Sequence, residues 1–139
     1  MDLDLAEFAV KHAVSLGAKY ADVRLETTKK NDFILKNGVP QMAGFDRVQG
    51  LGIKLNSGGC FGFAATNELD KDKIKSMVER AIRVTKAASQ IGDNANMAAT
   101  TVEEAKYEIK QKISLEDLSP EDKLKELFDI DKAILSTNL

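Results

Sequence analysis

The chain has 139 residues, of which 43% are hydrophobic and 30% charged, with a formal net charge of −2. These values fit one packed domain of ordinary size and exclude a disordered chain. They also exclude a basic nucleic-acid binder. Residues 1–66 carry 8 Lys+Arg and 7 Asp+Glu, residues 67–139 carry 12 and 15, and the Lys29-Lys30 pair is too short to follow a phosphate backbone.

A single cysteine, Cys60, rules out an internal disulfide and suits a reducing compartment. No apolar run approaches the ~20 residues that span a bilayer. The start, Met1-Asp2-Leu3-Asp4, is acidic, opposite to a signal peptide. The expectation is a cytoplasmic protein with no membrane contact and no direct contact with nucleic acid.

In chain order, residues 4–17 predict a helix. Asp4 is the expected N-cap, with Glu7 three residues on. Leu5, Phe8, Ala9, His12 and Leu16 share one face, and Gly17 supplies the C′ position. Residues 19–29 alternate as a half-buried strand, with Ala21, Val23 and Leu25 on one side and Asp22, Arg24 and Glu26 on the other. Phe33-Ile34-Leu35 forms a second short strand over 32–36, closed by the hairpin signal Asn37-Gly38. Pro40 makes the return over Val39–Ala43 an edge or irregular strand.

Residues 46–56 form a further strand with Leu51, Ile53 and Leu55 on one face and Gly50 and Gly52 on the other. After the turn Ser57-Gly58-Gly59, Cys60–Thr66 returns with Phe61, Phe63 and Ala65 on one face and Cys60, Gly62 and Ala64 on the other. The small residues of the two strands are expected on matching faces, where a helix or another chain approaches the backbone closely.

Residues 71–89 predict a helix capped by Asp70, with an apolar stripe of Ile74, Met77, Val78, Ala81, Ile82 and Thr85. Gly92–Thr101 reads as a loop. Ala105, Tyr107 and Ile109 alternate with charged residues, as in a short strand or extended connector. Ser119-Pro120-Glu121-Asp122 starts a last helix bearing Leu124, Leu127, Phe128, Ile134 and Leu135. That much apolar surface expects a further partner.

The predicted class is α+β: a mainly antiparallel sheet of about four strands with flanking helices, in the order α-β-β-β-β-α, a loop and another helix. The expected division is a core over 1–90, a loop and connector over 91–118, and a helix over 119–139 in a domain that continues past its last residue.

The supply of chemical groups is small. His12 is the one histidine, and its position suits a hydrogen-bonded residue at the core edge better than a metal ligand or base. Cys60 suits a small buried hydrophobe, since nothing near it in sequence forms a thiolate. The glycines 50, 52, 58, 59 and 62 fit neither phosphate-loop pattern. No catalytic, cofactor-binding or metal residue is assigned. The row Asp22, Arg24 and Glu26 suits cross-strand pairing or a subunit or peptide contact.

Two motifs carry a family resemblance. Gly17-Ala18-Lys19-Tyr20-Ala21-Asp22-Val23-Arg24-Leu25-Glu26 resembles the opening of TldD/PmbA-type proteins, also labelled modulators of DNA gyrase. Gly50-Leu51-Gly52-Ile53-Lys54-Leu55 with Gly58-Gly59-Cys60-Phe61-Gly62-Phe63-Ala64-Ala65-Thr66 is similar to that family's hairpin. The resemblance implies a parent zinc peptidase about three times this length that acts on unfolded peptides. One branch holds its metal with an H-E-x-x-x-H motif and a later cysteine; the other lacks the motif and serves as a partner subunit. Neither ligand position matches His12 or Cys60. The implied role of this stretch is to wall the peptide cleft and pair subunits in a homo- or hetero-oligomer. A strand edge at 31–43, with Phe33 and Met42, is a candidate peptide contact. The rival expectation is a stand-alone protein-interaction module.

Overall fold

The structure is a computed structural model that describes residues 3–89, 98 and 103–137. The elements are α1 (Leu3–Ser15), β1 (Tyr20–Lys36), β2 (Val39–Ser57), β3 (Cys60–Thr66), α2 (Lys71–Ala88) and α3 (Pro120–Ser136). The strands form an antiparallel sheet in the order β1-β2-β3. The α+β class holds, with three strands in place of the expected four.

The difference in strand count has a simple cause. Apolar alternation lapses through Thr27-Thr28-Lys29-Lys30-Asn31 and near Gly44, but backbone hydrogen bonding continues through both stretches. The predicted strands at 19–29 and 32–36 are therefore one 17-residue strand. Likewise 39–43 and 46–56 belong to one 19-residue strand. Pro40 lies where β2 has no β3 neighbour, because that pairing covers only Leu51 to Ser57.

Two-residue turns link the strands. Asn37 and Gly38 have φ of 51° and 72°, and Gly58 and Gly59 have 64° and 84°. Two successive positive φ values make the type I′ turn, whose twist matches that of paired strands. The second turn makes Ser57 and Cys60 partners, which fixes Leu55 opposite Gly62 and Gly52 opposite Ala65. This corrects the expectation of small residues on matching faces. Gly52 shares its face with Phe63 and Ala65, whereas Gly62 shares the face of Leu51, Ile53 and Leu55.

Contacts group the chain into two compact units, residues 1–28 with 48–101 and residues 29–47 with 102–139. In the first, Leu5, Ala9 and Ala13 of α1, Leu51, Ile53 and Leu55 of β2, and Ile74, Val78, Ala81 and Ile82 of α2 form one core with Ala18. Each large member contributes about 1.5–3 kcal/mol on burial. Asp4 lies inside the first turn of α1 and so is not its cap; its charge still favours the helix N-terminus. At the other end Ala18 N–H donates to Ala13 O at 3.1 Å and Gly17 N–H to Val14 O at 2.9 Å, a Schellman stop. Lys86 of α2 donates to Leu16 O at 3.0 Å there. Asp70 caps α2 as expected, accepting from Asp72 N–H at 2.9 Å.

In the second unit Ser119 accepts from Asp122 N–H at 3.0 Å and caps α3, with Pro120 next. Phe33 meets Phe45 edge-on at 5.7 Å, and the Lys123 ammonium lies over both rings. Lys29 pairs with Glu116 and holds its carboxyl below the usual range by that hydrogen bond and by charge. None of the described residues in this unit is buried. Residues 103–110 form no regular element, with Tyr107 and Ile109 more than 90% exposed. Alternation makes no strand without a partner to pair with. Most of the loop expected at 92–101 lies outside the described residues.

The small β3 residues serve the expected close approach. A Cβ added at Gly62 would sit 1.9 Å from Thr85 Oγ1, and Thr85 is buried with its hydroxyl on Ala81 O. Gly62→Ala is therefore expected to lower stability by about 1–3 kcal/mol in urea unfolding. Adding Thr85→Ala should recover part of that loss by clearing the space. Equal stability of Gly62→Ala and the parent would show that α2 yields freely.

Candidate functional site: the open face of the sheet

Alternation along the strands of the first unit sends every second side chain away from the helices. On that face Asp22, Arg24, Glu26 and Thr28 of β1 line up beside Val48, Gly50, Gly52 and Lys54 of β2. With Phe63, Ala65, Thr66 and Asn67 they line an open groove of about 750 Å³. The glycines keep its floor low: a Cβ at Gly52 would lie 3.2 Å from the Phe63 ring and one at Gly50 3.1 Å from Thr66 O. Phe63 is 73% exposed, so it presents a bare aromatic surface in the groove. Lys54 lies over the Phe61 ring at 4.9 Å.

The charged row is internally ordered. Tyr20 O–H donates to Asp22 Oδ2 at 2.7 Å, and Thr28 O–H donates to Glu26 Oε1 at 3.3 Å. Asp22 and Glu26 are four residues apart on one strand, about 13 Å at the usual rise, too far for a catalytic carboxylate pair. This face thus combines both signs of charge, an exposed aromatic ring and a low floor.

Of the five residues singled out in the sequence, the structure brings Asp22, Arg24 and Glu26 together. Phe33 and Met42 belong to the other unit, Phe33 half-buried on Phe45 and Met42 exposed. Lys54, Phe63, Gly50 and Gly52 were not singled out for the site. The signal was available, because the period-2 pattern puts them on the same sheet face as the charged row once the register is known.

His12 and Cys60 take quiet positions. The His12 ring stacks on Phe8 at 5.9 Å, with Nε2 3.4 Å from Glu79 Oε1 but without hydrogen-bond geometry. Cys60 is half-buried at the start of β3. Among the described residues no three His, Cys, Asp or Glu side chains converge as a metal would need, so the donor set does not fit zinc. No described helix is long and apolar enough to cross a membrane.

The Tyr20–Asp22 bond has a measurable signature. Donating to Asp22 raises the Tyr20 pKa, with burial and the Asp22 charge adding to the rise. The neutral phenol is the bonded form, so the contact persists below the ordinary tyrosine pKa and is lost as pH climbs through the raised one. Asp22→Ala is expected to move Tyr20 ionisation to lower pH in an NMR titration. An unmoved midpoint would mean the bond does not form in solution.

Comparison with known proteins gives this geometry a context. Residues 21–85 match the family profile described as PmbA/TldA metallopeptidase domain 1. A crystal structure from Bacteroides thetaiotaomicron VPI-5482, provisionally described as a modulator of DNA gyrase, shares the fold with a TM-score of 0.76 at 23% identity. The match covers 89% of this chain but 28% of that one. No curated protein sequence matches the chain. The span 21–85 covers both hairpin turns, the open groove and most of α2, and over it the chain is similar to the first domain of the PmbA/TldA metallopeptidase family.

Proposed function

We propose that this chain is the non-catalytic first domain of a PmbA/TldA-type zinc metallopeptidase, shaping the cleft for an unfolded peptide and making subunit contacts. The observation that carries this is the groove on the open sheet face. Asp22, Arg24, Glu26 and Lys54 flank the exposed Phe63 there, in a chain whose described donors do not converge on a metal. Peptide-bond hydrolysis is assigned to other parts of a longer protein, with zinc held outside this chain. The mixed signs of the row suit polypeptide and speak against DNA as a ligand. Phe33 and Met42 on the β1–β2 ribbon are proposed as a second peptide contact, where backbone pairing would give affinity without sequence choice.

A second reading, a stand-alone protein-interaction module, draws on α3. Its Ile130, Ile134 and Leu135 are each more than half exposed, an apolar strip that suits a protein partner.

The purified 139-residue chain is expected to hold no stoichiometric zinc and to cleave no unfolded peptide. Metal at one equivalent, or peptidase activity, would overturn the non-catalytic assignment. In a full-length peptidase carrying this domain, Phe33→Ala and Met42→Ala should raise peptide KM several-fold with kcat little changed. Unchanged KM would remove the second contact from the proposal.

A further inference from the structure

β3 is the outermost strand of the sheet, with β2 on one side only. Ser57 and Cys60 flank a two-residue turn, so they form a hydrogen-bonded pair, and such pairs recur at Leu55–Gly62, Ile53–Ala64 and Leu51–Thr66. Phe61, Phe63 and Ala65, between them, turn their N–H and C=O groups away from β2. All three residues are exposed, and no described residue pairs with this edge. Its complement is another extended backbone.

Sheets guard their free edges with charge, proline or bulges. β1 follows the rule, carrying Asp22, Arg24, Glu26, Lys29, Lys30 and Asp32. β3 has neither charge nor proline in Cys60–Thr66. A groove of about 710 Å³ follows this edge beside α2, lined on the helix side by Met77, Arg80, Val84 and Ala88 and on the strand side by Phe61 and Phe63. Val84 is 62% exposed. A strand laid here would meet apolar surface on both of its faces. Among the described residues Arg80 is the one charged side chain lining the groove, and six of the eight charged side chains of α2 are basic.

We propose that the free edge of β3 captures an extended polypeptide segment as a fourth strand. Alternate apolar side chains of the segment lie against Met77 and Val84 and against Phe61 and Phe63, and an acidic side chain meets Arg80. A second copy of β3 fits less well, because two-fold pairing would set two basic α2 helices side by side. The inference rests on the β3 edge and holds whether or not the parent is a peptidase.

The test titrates the ¹⁵N-labelled 139-residue chain with a blocked seven-residue peptide of alternating valine and threonine bearing one glutamate. The amides of Phe61, Phe63 and Ala65 are expected to shift and to gain exchange protection. Arg80→Glu should weaken binding about fivefold or more, and a lysine in place of the peptide's glutamate should restore it. N-methylation of alternate peptide amides should abolish binding. So should Ala65→Pro, which removes an outward N–H that β2 does not use; if that variant fails to fold, Phe63→Lys puts a charge on the same edge. Shifts confined to other residues, equal binding of the N-methylated peptide, or self-association through β3 in place of a peptide complex would overturn the proposal. None of these outcomes bears on KM at Phe33 and Met42, so the peptidase reading is judged separately.

Discussion

The first unit depends on how closely α2 lies on β3. At Gly62 the strand has no side chain, and the space a Cβ would take is held by Thr85. That approach lets Ile74, Val78, Ala81 and Ile82 reach Leu51, Ile53 and Leu55 in one core. It also decides the opposite face. With small residues turned to the helix, the alternation of β3 sends Phe61 and Phe63 outward. The exposed aromatics are thus a consequence of tight helix packing on the other side of the same strand.

Two strand edges with different chemistry follow. β1 carries acids and bases along its length, and Asp22 and Glu26 of its charged row accept local hydrogen bonds from Tyr20 and Thr28. β3 is short, uncharged and flanked by apolar groups on both faces. A charged edge resists added strands, whereas a bare one invites them. The two units also differ in how they are held. The first has a buried core; the second is held by Phe33, Phe45 and Lys123, by the Lys29–Glu116 pair and by a well-capped helix, with no buried residue among those described. Such a unit gains little from hydrophobic burial.

Local signals were legible wherever the physics is local. Asp70 and Ser119 cap their helices through their own side chains, and Asn37-Gly38 turns because both residues tolerate positive φ. The stripe on α2 became its buried face. Strand extent was less legible, since the ladder at Thr27–Asn31 continues without any apolar alternation to report it. Tyr107 and Ile109 show the converse case, an alternating pattern with nothing to pair against. The groove was half legible: Asp22, Arg24 and Glu26 announce themselves as a row on one strand, but Phe63 and Lys54 join them only across the sheet.

The sequence by itself determined the α+β class, the caps of α2 and α3, the two tight turns and the scarcity of catalytic donors. Each of these rests on residue counts or on interactions within a few residues. The tertiary structure alone decided the faces. A two-residue turn at Gly58-Gly59 pairs odd positions with even ones, which sets Gly62 under α2 and Gly52 under Phe63. Registers join residues that are distant in sequence, and a shift of one would have turned every side chain of β3 to the other side.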